Sequence, residues 1–537
     1  MNDPISVIDL LIILLSVVIV IAIGIHFRNK DSNTNEYFLA GRNLGWFAVG
    51  ISIFATNISS EHFIGLAGSG ASRGLAVAQF ELIAIFLLIL LGWFISPIYK
   101  RLGVRTTPEF LEKRFDVSNR KFFSGISIFT YIITKILVTL FAGGILFNMI
   151  FGWSIFTSAV AIVLLTGLYS LIGGFSAVVK TQVFQGILLI LSTIVLTIYG
   201  LSEVGGFSGL QEKLPASYFQ MFKPINDPDF PWTGIIFGAP IIAFWYWCAD
   251  HYIVQRVLGA KSIDDARRGT LFTAFLKILP LFVLVLPGLI TVALYPEAKG
   301  DIAYPTLLMS GIIPVGVKGF IIAGFLAAMM SSLSAAFNSI AALYTIDFYQ
   351  PKHPDASERT LVLVGRMSTV MIIFLVLLFV PFIKLMNSHI YIFLQGTQAF
   401  ISAPIAALFL FGFIFKKIHS KAALISLVIG ELIGISRFIL EFMASSGSIS
   451  NKLLLQFVHI NYLHFTIYLF LGTSLFLFIL SSVLKYAEEE VKLKNNFFAI
   501  GYGFSNKGLL VSTTYRTQVL LSVILLIVTL GIWYLFV

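Results

Sequence analysis

The stretch Trp46-Phe-Ala-Val-Gly-Ile-Ser-Ile-Phe-Ala-Thr-Asn-Ile-Ser-Ser-Glu-His-Phe-Ile-Gly-Leu-Ala-Gly-Ser-Gly70 is an apolar segment interrupted at its centre. Its middle carries Ala55-Thr-Asn-Ile-Ser-Ser-Glu-His62, and glycine recurs at Gly65, Gly68 and Gly70. Inside a bilayer, unwound backbone is tolerated only where it lines a cavity. A polar, glycine-rich centre therefore predicts a broken membrane helix beside a binding site.

A second interruption lies in the seventh apolar segment, at Phe244-Trp-Tyr-Trp-Cys-Ala-Asp250. Corresponding interruptions in two halves of a chain indicate a transporter built from inverted repeats, with its site near the midplane. If the first apolar segment is peripheral, the two broken helices become helices one and six of a ten-helix core. Helices that are kinked only for packing are the alternative.

Composition makes lipid the solvent for most of this chain. Of 537 residues, 58% are hydrophobic and 12% are charged, and the mean hydropathy is strongly positive. We find about fourteen apolar runs of about 20 residues, the length that crosses a hydrocarbon core of roughly 30 Å. They begin near Ser6, Trp46, Leu75, Phe122, Ile155, Gln182, Trp232, Leu271, Lys318, Leu361, Ile390, Ala422, Tyr462 and Val519. We therefore expect one all-α transmembrane domain over residues 1–537.

The distribution of basic residues predicts the topology. The first segment has no Lys or Arg before it and is followed by Arg28 and Lys30, so we interpret it as a retained helix entering from outside rather than a secretory signal. Fourteen spans then place both termini outside and most of the 36 Lys and Arg residues in cytoplasmic loops. We expect a multi-pass protein of the plasma (cell inner) membrane. Because the basic residues are spread over many loops, the net charge of +10 does not indicate a nucleic-acid partner.

Eight blocks of sequence, spread in order over almost the whole chain, resemble the sodium/solute symporter family, and most closely its sodium/glucose and sodium/galactose cotransporters. The blocks are Tyr37-Phe-Leu-Ala-Gly41, Asn57-Ile-Ser-Ser-Glu-His-Phe-Ile-Gly65, Pro108-Glu-Phe-Leu-Glu-Lys-Arg-Phe115, Gly173-Gly-Phe-Ser-Ala-Val178, Trp245-Tyr-Trp247, Gln255-Arg256, Ala260-Lys-Ser262 and Ser331-Ser332. The resemblance implies a five-plus-five inverted-repeat fold of the LeuT type, with one helix before the core and three after it. It places the repeats at about 46–203 and 232–415, and we expect a functional monomer.

Polar side chains inside the apolar segments are the first candidates for the site, because a charge in a membrane core costs at least about 2.5 kcal/mol. Lys277 lies deep within its segment and needs a partner or a polar cavity. Glu81 is the only charged residue of the third segment and can accept hydrogen bonds from hydroxyl groups. The amides of Asn57 and Gln395 can donate and accept at once, as sugar hydroxyls do.

The resemblance implies roles for a larger set of residues. The implied sugar-binding residues are Asn57, His62, Glu81, Tyr246, Trp247, Lys277 and Gln395. The implied gates are Tyr246 on the inner side and Leu66, Phe80 and Tyr391 on the outer side. The implied sodium ligands are the carbonyls of Ala55, Ile58 and Ala328 and the side chains of Ser331 and Ser332. A packing role for His62, and serines bonded to their own helix, are the alternatives.

The predicted function is secondary active symport, in which sodium entry drives uptake of a glucose- or galactose-like monosaccharide by alternating access. Sodium is then the coupling ion and the sugar is the substrate. Two alternatives stay open: a symporter of the same fold for inositol, an amino acid or a carboxylate, and a sugar sensor without coupled transport. No zinc-protease motif and no phosphate-binding glycine loop is present in the sequence. We expect no enzyme activity.

One departure from the family pattern bears on ion coupling. After Gly173-Gly-Phe-Ser-Ala-Val-Val-Lys180, many family members carry Thr-Asp, whereas this chain has Thr181-Gln182. A neutral amide cannot balance a cation as a carboxylate does. The substitution predicts one sodium ion per sugar.

Overall fold

Every predicted apolar segment forms helix in the computed structural model, which describes residues 5–27, 33–381, 390–485 and 513–537. The helices of the bundle are α1 (Val7–His26), α2 (Trp46–Asn57), α3 (residues 62–73), α4 (residues 79–102), α5 (Val117–Phe151), α6 (Ile155–Leu171), α7 (Gly173–Val204), α8 (Trp232–Ala249), α9 (His251–Leu258), α10 (Ile263–Leu294), α11 (Val317–Lys352), α12 (Glu358–Phe379), α13 (Ile390–Ile414), α14 (Ser420–Ser445), α15 (Tyr462–Val483) and α16 (Thr513–Leu535).

Short helices join the bundle helices at Thr34–Leu39, Ala40–Arg42, Gly74–Ala78, Thr107–Arg114, Gly206–Lys213, Ala216–Tyr218, Gly300–Ile302, Ala303–Leu308 and Lys452–Val458. The described residues contain twelve helices that are long and apolar enough to cross a membrane, and two shorter apolar helices, α2 and α6. These residues include no β-strand. Arg28 and Lys30, which led us to place the amino terminus outside, lie beyond the described residues.

Both predicted interruptions are present. Helix α2 ends at Asn57, because Ile58 is extended (φ −78°, ψ 110°), and helical backbone resumes before His62. The second break is at Asp250, also extended (φ −69°, ψ 119°), between α8 and α9. The Asp250 side chain accepts the backbone N–H of Tyr252 and so caps α9. Each break leaves backbone groups free of helical hydrogen bonds.

Widened π-helical turns accompany the breaks. Three of the six π turns in the described residues occupy His62–Leu66 in α3, Ile132–Leu137 in α5 and Trp245–Ala249 in α8. A π turn inserts an extra residue into the helix and changes the direction of the side chains, and such turns are frequent at functional sites. All three turns contribute side chains to the same central cavity.

Close helix contacts hold the broken segments in place. A Cβ atom added at Gly288 of α10 would lie 2.0 Å from the carbonyl oxygen of Ala67 in α3, so this contact requires glycine. Helix α11 is almost wholly buried at the centre of the bundle, whereas α1 is peripheral. The Asp9 carboxylate of α1 accepts the backbone N–H groups of Gly316 and Gly319, at 2.8 and 2.7 Å, and so caps the start of α11.

The predicted topology, with fourteen spans and both termini outside, gives a labelling prediction. Lys113→Cys, in the short helix that follows Arg105, should react with a membrane-impermeant thiol reagent only from the cytoplasmic side, and Asn226→Cys, near Asp227, only from outside. The native Cys248 is buried and serves as the unlabelled control. Labelling of right-side-out and inverted vesicles measures both positions, and the reverse pattern would overturn the predicted topology.

Candidate functional site

A cavity lies where the two broken helices meet. Its lining residues are Asn57, Glu61, His62, Phe80, Glu81, Lys135, Ile242, Ala243, Tyr246, Trp247, Tyr391, Leu394, Gln395 and Gln398. They include every predicted sugar-binding residue except Lys277, which lies directly behind the wall. The cavity volume is about 50 Å³, whereas an engineered cavity that admits benzene measures about 150 Å³. A monosaccharide therefore enters only when the lining side chains move.

Lys277 and Glu81, which the sequence singled out separately, form an ion pair. Both side chains are almost wholly buried, and the Lys277 ammonium also donates to Asn57 Oδ1 at 2.7 Å. The same ammonium lies 5.5 Å from the ring centroid of Trp247. Because each charge has its counter-charge, the pair brings no net charge to the cavity.

Asn57 links this ion pair to the predicted inner gate. Its Nδ2 donates to the hydroxyl of Tyr246 at 3.0 Å, while its Oδ1 accepts from Lys277. A neutral amide can do both at once. The position of the Tyr246 ring is therefore connected to the charged pair through one side chain at the end of α2.

His62 has polar partners on both ring nitrogens. The backbone N–H of Ser59 donates to Nδ1 at 3.4 Å, and Nε2 lies 3.6 Å from the Glu81 carboxylate. Since Nδ1 is an acceptor here, the contacts assign the ring proton to Nε2. The ring also meets Tyr391 edge-on, with centroids 6.1 Å apart. His62 is thus part of the polar wall and not an isolated packing residue.

Two of the three predicted outer-gate side chains meet above the cavity. The rings of Phe80 and Tyr391 are edge-to-face with centroids 6.0 Å apart, and Phe80 also contacts Phe230. Leu66 is fully buried but is not among the lining residues. The structure therefore brings Phe80 and Tyr391 together at the cavity and leaves Leu66 out of its lining.

Asp301 holds the start of α13, the helix that carries Tyr391 and Gln395. Its carboxylate accepts the backbone N–H of Ile390 at 3.1 Å. Burial raises the pKa of Asp301 to about 7. The loop between α10 and α11 is thus bonded to the start of the helix that carries Tyr391, a predicted outer-gate residue.

The predicted ion ligands form a cluster at the end of α2. Ser331 Oγ donates to the carbonyls of Ala55, at 2.6 Å, and Ala328, at 2.8 Å. Ser332 Oγ donates to the carbonyl of Thr56 at 3.0 Å. These hydroxyl and carbonyl oxygens from α2 and α11 are the ligand type that a hard cation prefers, so the residues fit a sodium ion.

Ile58, the remaining predicted ligand, lies just past the end of α2. Its N–H closes the last turn by donating to Phe54, at 2.9 Å. Its extended backbone takes its own carbonyl out of the helical hydrogen-bond pattern. No described hydrogen bond joins that carbonyl to the serine cluster.

Gln182 lies against the same cluster. Its amide nitrogen donates to Thr56 Oγ1, at 2.9 Å, and to the carbonyl of Ser331, at 3.0 Å. Its amide oxygen accepts from Ser52 Oγ at 2.5 Å. The residue that departs from the family pattern is therefore in direct contact with Ser331, one of the predicted ion ligands.

Sequence reasoning missed three polar lining residues. Glu61 lies within the opening stretch, and Lys135 lies within the fourth apolar segment. Gln398 follows Gln395 by three residues, the spacing of one helical face. The Lys135 ammonium lies 4.0 Å from the ring centroid of Tyr246. Only the fold shows that these side chains share one cavity.

The ion pair gives a stability prediction. Lys277→Met leaves the Glu81 carboxylate buried without its cation, which costs about 3–5 kcal/mol. Adding Glu81→Gln should restore part of the loss, because the double variant buries no charge. Unfolding of the detergent-solubilised protein measures both effects, and Lys299→Met, at an exposed lysine, should change the free energy of unfolding by less than about 0.5 kcal/mol. Additive losses in the double variant would contradict a direct pair.

Comparison with known proteins places this chain in a family. The model of the sodium:solute symporter family matches residues 37–430. Sodium/glucose cotransporter 4 of Mus musculus is 37% identical over 478 residues, which cover 82% of this chain and 70% of that protein. Sodium/myo-inositol cotransporter 2 of Bos taurus is 35% identical over 474 residues, covering 81% of this chain and 70% of that protein.

Solved structures share the fold. A substrate-bound, outward-open Na+-coupled sialic acid symporter has a TM-score of 0.76 at 21% identity, covering 90% of this chain and 99% of that one. The nucleobase-cation-symport-1 family transporter Mhp1, in a closed conformation with bromovinylhydantoin bound, has a TM-score of 0.52 at 15% identity, covering 87% and 99%. The likeness confirms the predicted all-α, inverted-repeat fold class. The repeat boundaries, the monomeric state and the side on which each terminus lies stay predictions.

The family match and the relatives identify sodium as the coupling ion and confirm a multi-pass membrane protein that is a transporter and not an enzyme. The chain belongs to the sodium:solute symporter family.

Proposed function

We propose that this protein couples inward sodium movement to uptake of a monosaccharide, with glucose- and galactose-like sugars as the substrate class. The observation that carries the proposal is the hydrogen-bonded wall formed by Glu81, Lys277, Asn57 and Tyr246 beside both helix breaks. Gln395 lines the same cavity.

The chemistry of this wall suits a neutral polyol. Every sugar hydroxyl donates and accepts hydrogen bonds, and the amides of Asn57 and Gln395 do the same. The Lys277–Glu81 pair offers charged partners without a net charge. The rings of Tyr246 and Trp247, with centroids 5.0 Å apart, supply apolar surface for the carbon face of a pyranose.

The proposed coupling ion lies at the cluster of Ala55, Ile58, Ala328, Ser331 and Ser332. Ala55 lies two residues before Asn57 and Ile58 one residue after it, so an ion there would lie next to the sugar-binding wall. Inward movement of each sodium charge gains about 2.3 kcal/mol per 100 mV of membrane potential. Phe80 and Tyr391 on the outer side, and Tyr246 on the inner side, then open alternately.

Inositol is the second candidate substrate, because a sodium/myo-inositol cotransporter is among the relatives. Inositol is also a neutral ring of hydroxyls, so the same hydrogen-bonding groups suit it. The two candidates differ in the ring oxygen and the exocyclic hydroxymethyl group. Direct competition between the two compounds separates them.

The uptake prediction tests the proposal. Proteoliposomes should accumulate labelled glucose or galactose only with an inward sodium gradient, and more strongly than myo-inositol. Gln395→Ala should lower uptake at subsaturating sugar by roughly tenfold or more, because a buried hydroxyl left unpaired costs about 1–3 kcal/mol. Gln211→Ala, at an exposed glutamine, is the matched control and should transport normally. Sugar binding without sodium-driven accumulation would indicate a sensor instead.

Gln182 gives a second prediction. Gln182→Asp introduces a carboxylate beside the serine cluster and should lower the sodium concentration that gives half-maximal uptake, or alter its pH dependence. Gln182→Asn is the matched control, since it has the same size without the charge. Equal sodium dependence in the Asp and Asn variants would show that Gln182 only packs against the cluster.

A further inference from the structure

The cavity contains a second carboxylate, Glu61, that has no lysine or arginine partner. Its side chain is buried, and no lysine or arginine nitrogen of the described residues lies within 4.0 Å of its oxygens. Glu81, the other carboxylate of the cavity, is paired with Lys277. A buried carboxylate without a direct counter-ion is costly, so a cation bound directly to Glu61 would be stabilised.

Neither neighbouring basic side chain forms a direct ion pair with Glu61 among the described residues. His62 Nδ1 lies 3.7 Å from the Glu61 carboxylate, but it accepts the Ser59 N–H and therefore carries no proton of its own. The Lys135 ammonium lines the same cavity, and it lies over the rings of Tyr246, at 4.0 Å, and Tyr252, at 5.0 Å. This ammonium interacts electrostatically with Glu61 from beyond 4.0 Å, and the aromatic faces stabilise it where it is.

Oxygen atoms surround the Glu61 carboxylate. The Ser59 hydroxyl bonds to it, and Thr139 Oγ1 lies 3.3 Å from the same carboxylate oxygen. Ser59 Oγ and Thr139 Oγ1 are 2.9 Å apart. Ser59 belongs to the unwound segment between α2 and α3, and Thr139 belongs to α5. Three oxygens from two elements thus converge, and together we refer to Glu61, Ser59 and Thr139 as the Glu61 cluster.

We propose that the Glu61 cluster binds a second sodium ion. One carboxylate and two hydroxyl oxygens match a hard monovalent cation, and the cavity gives water access to complete its shell. The ion would pair directly with the carboxylate of the cavity that has no described lysine within 4.0 Å. This site shares no residue with the cluster of Ala55, Ile58, Ala328, Ser331 and Ser332.

The proposal rests on the proposed sodium-coupled function and changes its stoichiometry. Gln182 predicts that no second ion lies beside the serine cluster. A second ion at Glu61 would give two sodium ions per sugar, one of them in the substrate cavity itself. Sugar and this ion would then share a wall, so each should strengthen the binding of the other.

Sodium binding to the purified protein tests the site without reference to the sugar. Radioactive sodium should bind at two equivalents per chain in the wild type and at one in Glu61→Gln. Glu431→Gln is the matched control: Glu431 is also buried, its carboxylate has no described hydrogen-bond partner, and it does not line the cavity. It should bind two. One equivalent in the wild type, or two in Glu61→Gln, would overturn the proposal.

Further variants protect the test against misfolding. If Glu61→Gln is not recovered as a folded protein, Ser59→Ala and Thr139→Val should each weaken one of the two sodium-binding steps by several fold. Glu61→Asp should keep both equivalents at lower affinity. Unchanged binding in the Ser59 and Thr139 variants would refute the cluster as a site.

Transport separates this proposal from the proposed function. Reversal potentials in proteoliposomes should give two charges per sugar for the wild type and one for Glu61→Gln. A wild type that binds two sodium ions but transports no sugar contradicts the proposed function alone. A wild type that transports sugar with one charge contradicts the Glu61 site alone, as does a second charge that follows the proton gradient instead of the sodium gradient.

Discussion

A polypeptide inside a bilayer must satisfy its own backbone hydrogen bonds, and this protein breaks two helices where that rule is hardest to meet. The breaks at Ile58 and Asp250 free carbonyl and N–H groups in the middle of the bundle. Side chains from other helices meet the need: Tyr252 donates its hydroxyl to the carbonyl of Thr56 at 2.9 Å, and Ser331 donates to Ala55. The groups that stabilise the break are therefore also those that can hold a cation.

Buried charged side chains are likewise stabilised by nearby side chains. Lys277 and Glu81 neutralise each other, and Asn57 ties them to the inner gate. Other buried cations rest on aromatic rings, as Lys135 does on Tyr246. Arg437 of α14 likewise lies 5.5 Å from the rings of Phe400, Phe457 and Phe465. Aromatic side chains, abundant in this chain, thus carry part of its electrostatics.

The small central cavity is enclosed by parts that belong to separate helices. Phe80 comes from α4, Tyr391 from α13 and Tyr246 from α8. Each is attached to a break or to a helix start, and the start of α13 is bonded to Asp301. In the proposed transport cycle, local shifts at these points open one side of the cavity, and the close α3–α10 contact at Gly288 stays packed.

The sequence alone determined the solvent, the helix positions and the breaks, because lipid burial demands long apolar runs and any polar interruption of them stands out. It also supplied the family, and through it most of the cavity wall. Only the tertiary structure paired Lys277 with Glu81 and seated Gln182 beside the serine cluster. It also left Leu66 out of the cavity lining and gathered Glu61, Ser59 and Thr139. Contacts between helices that are far apart in sequence depend on how the helices pack and on local turns such as a π bulge. The periodicity of one helix does not show which residues of other helices it contacts.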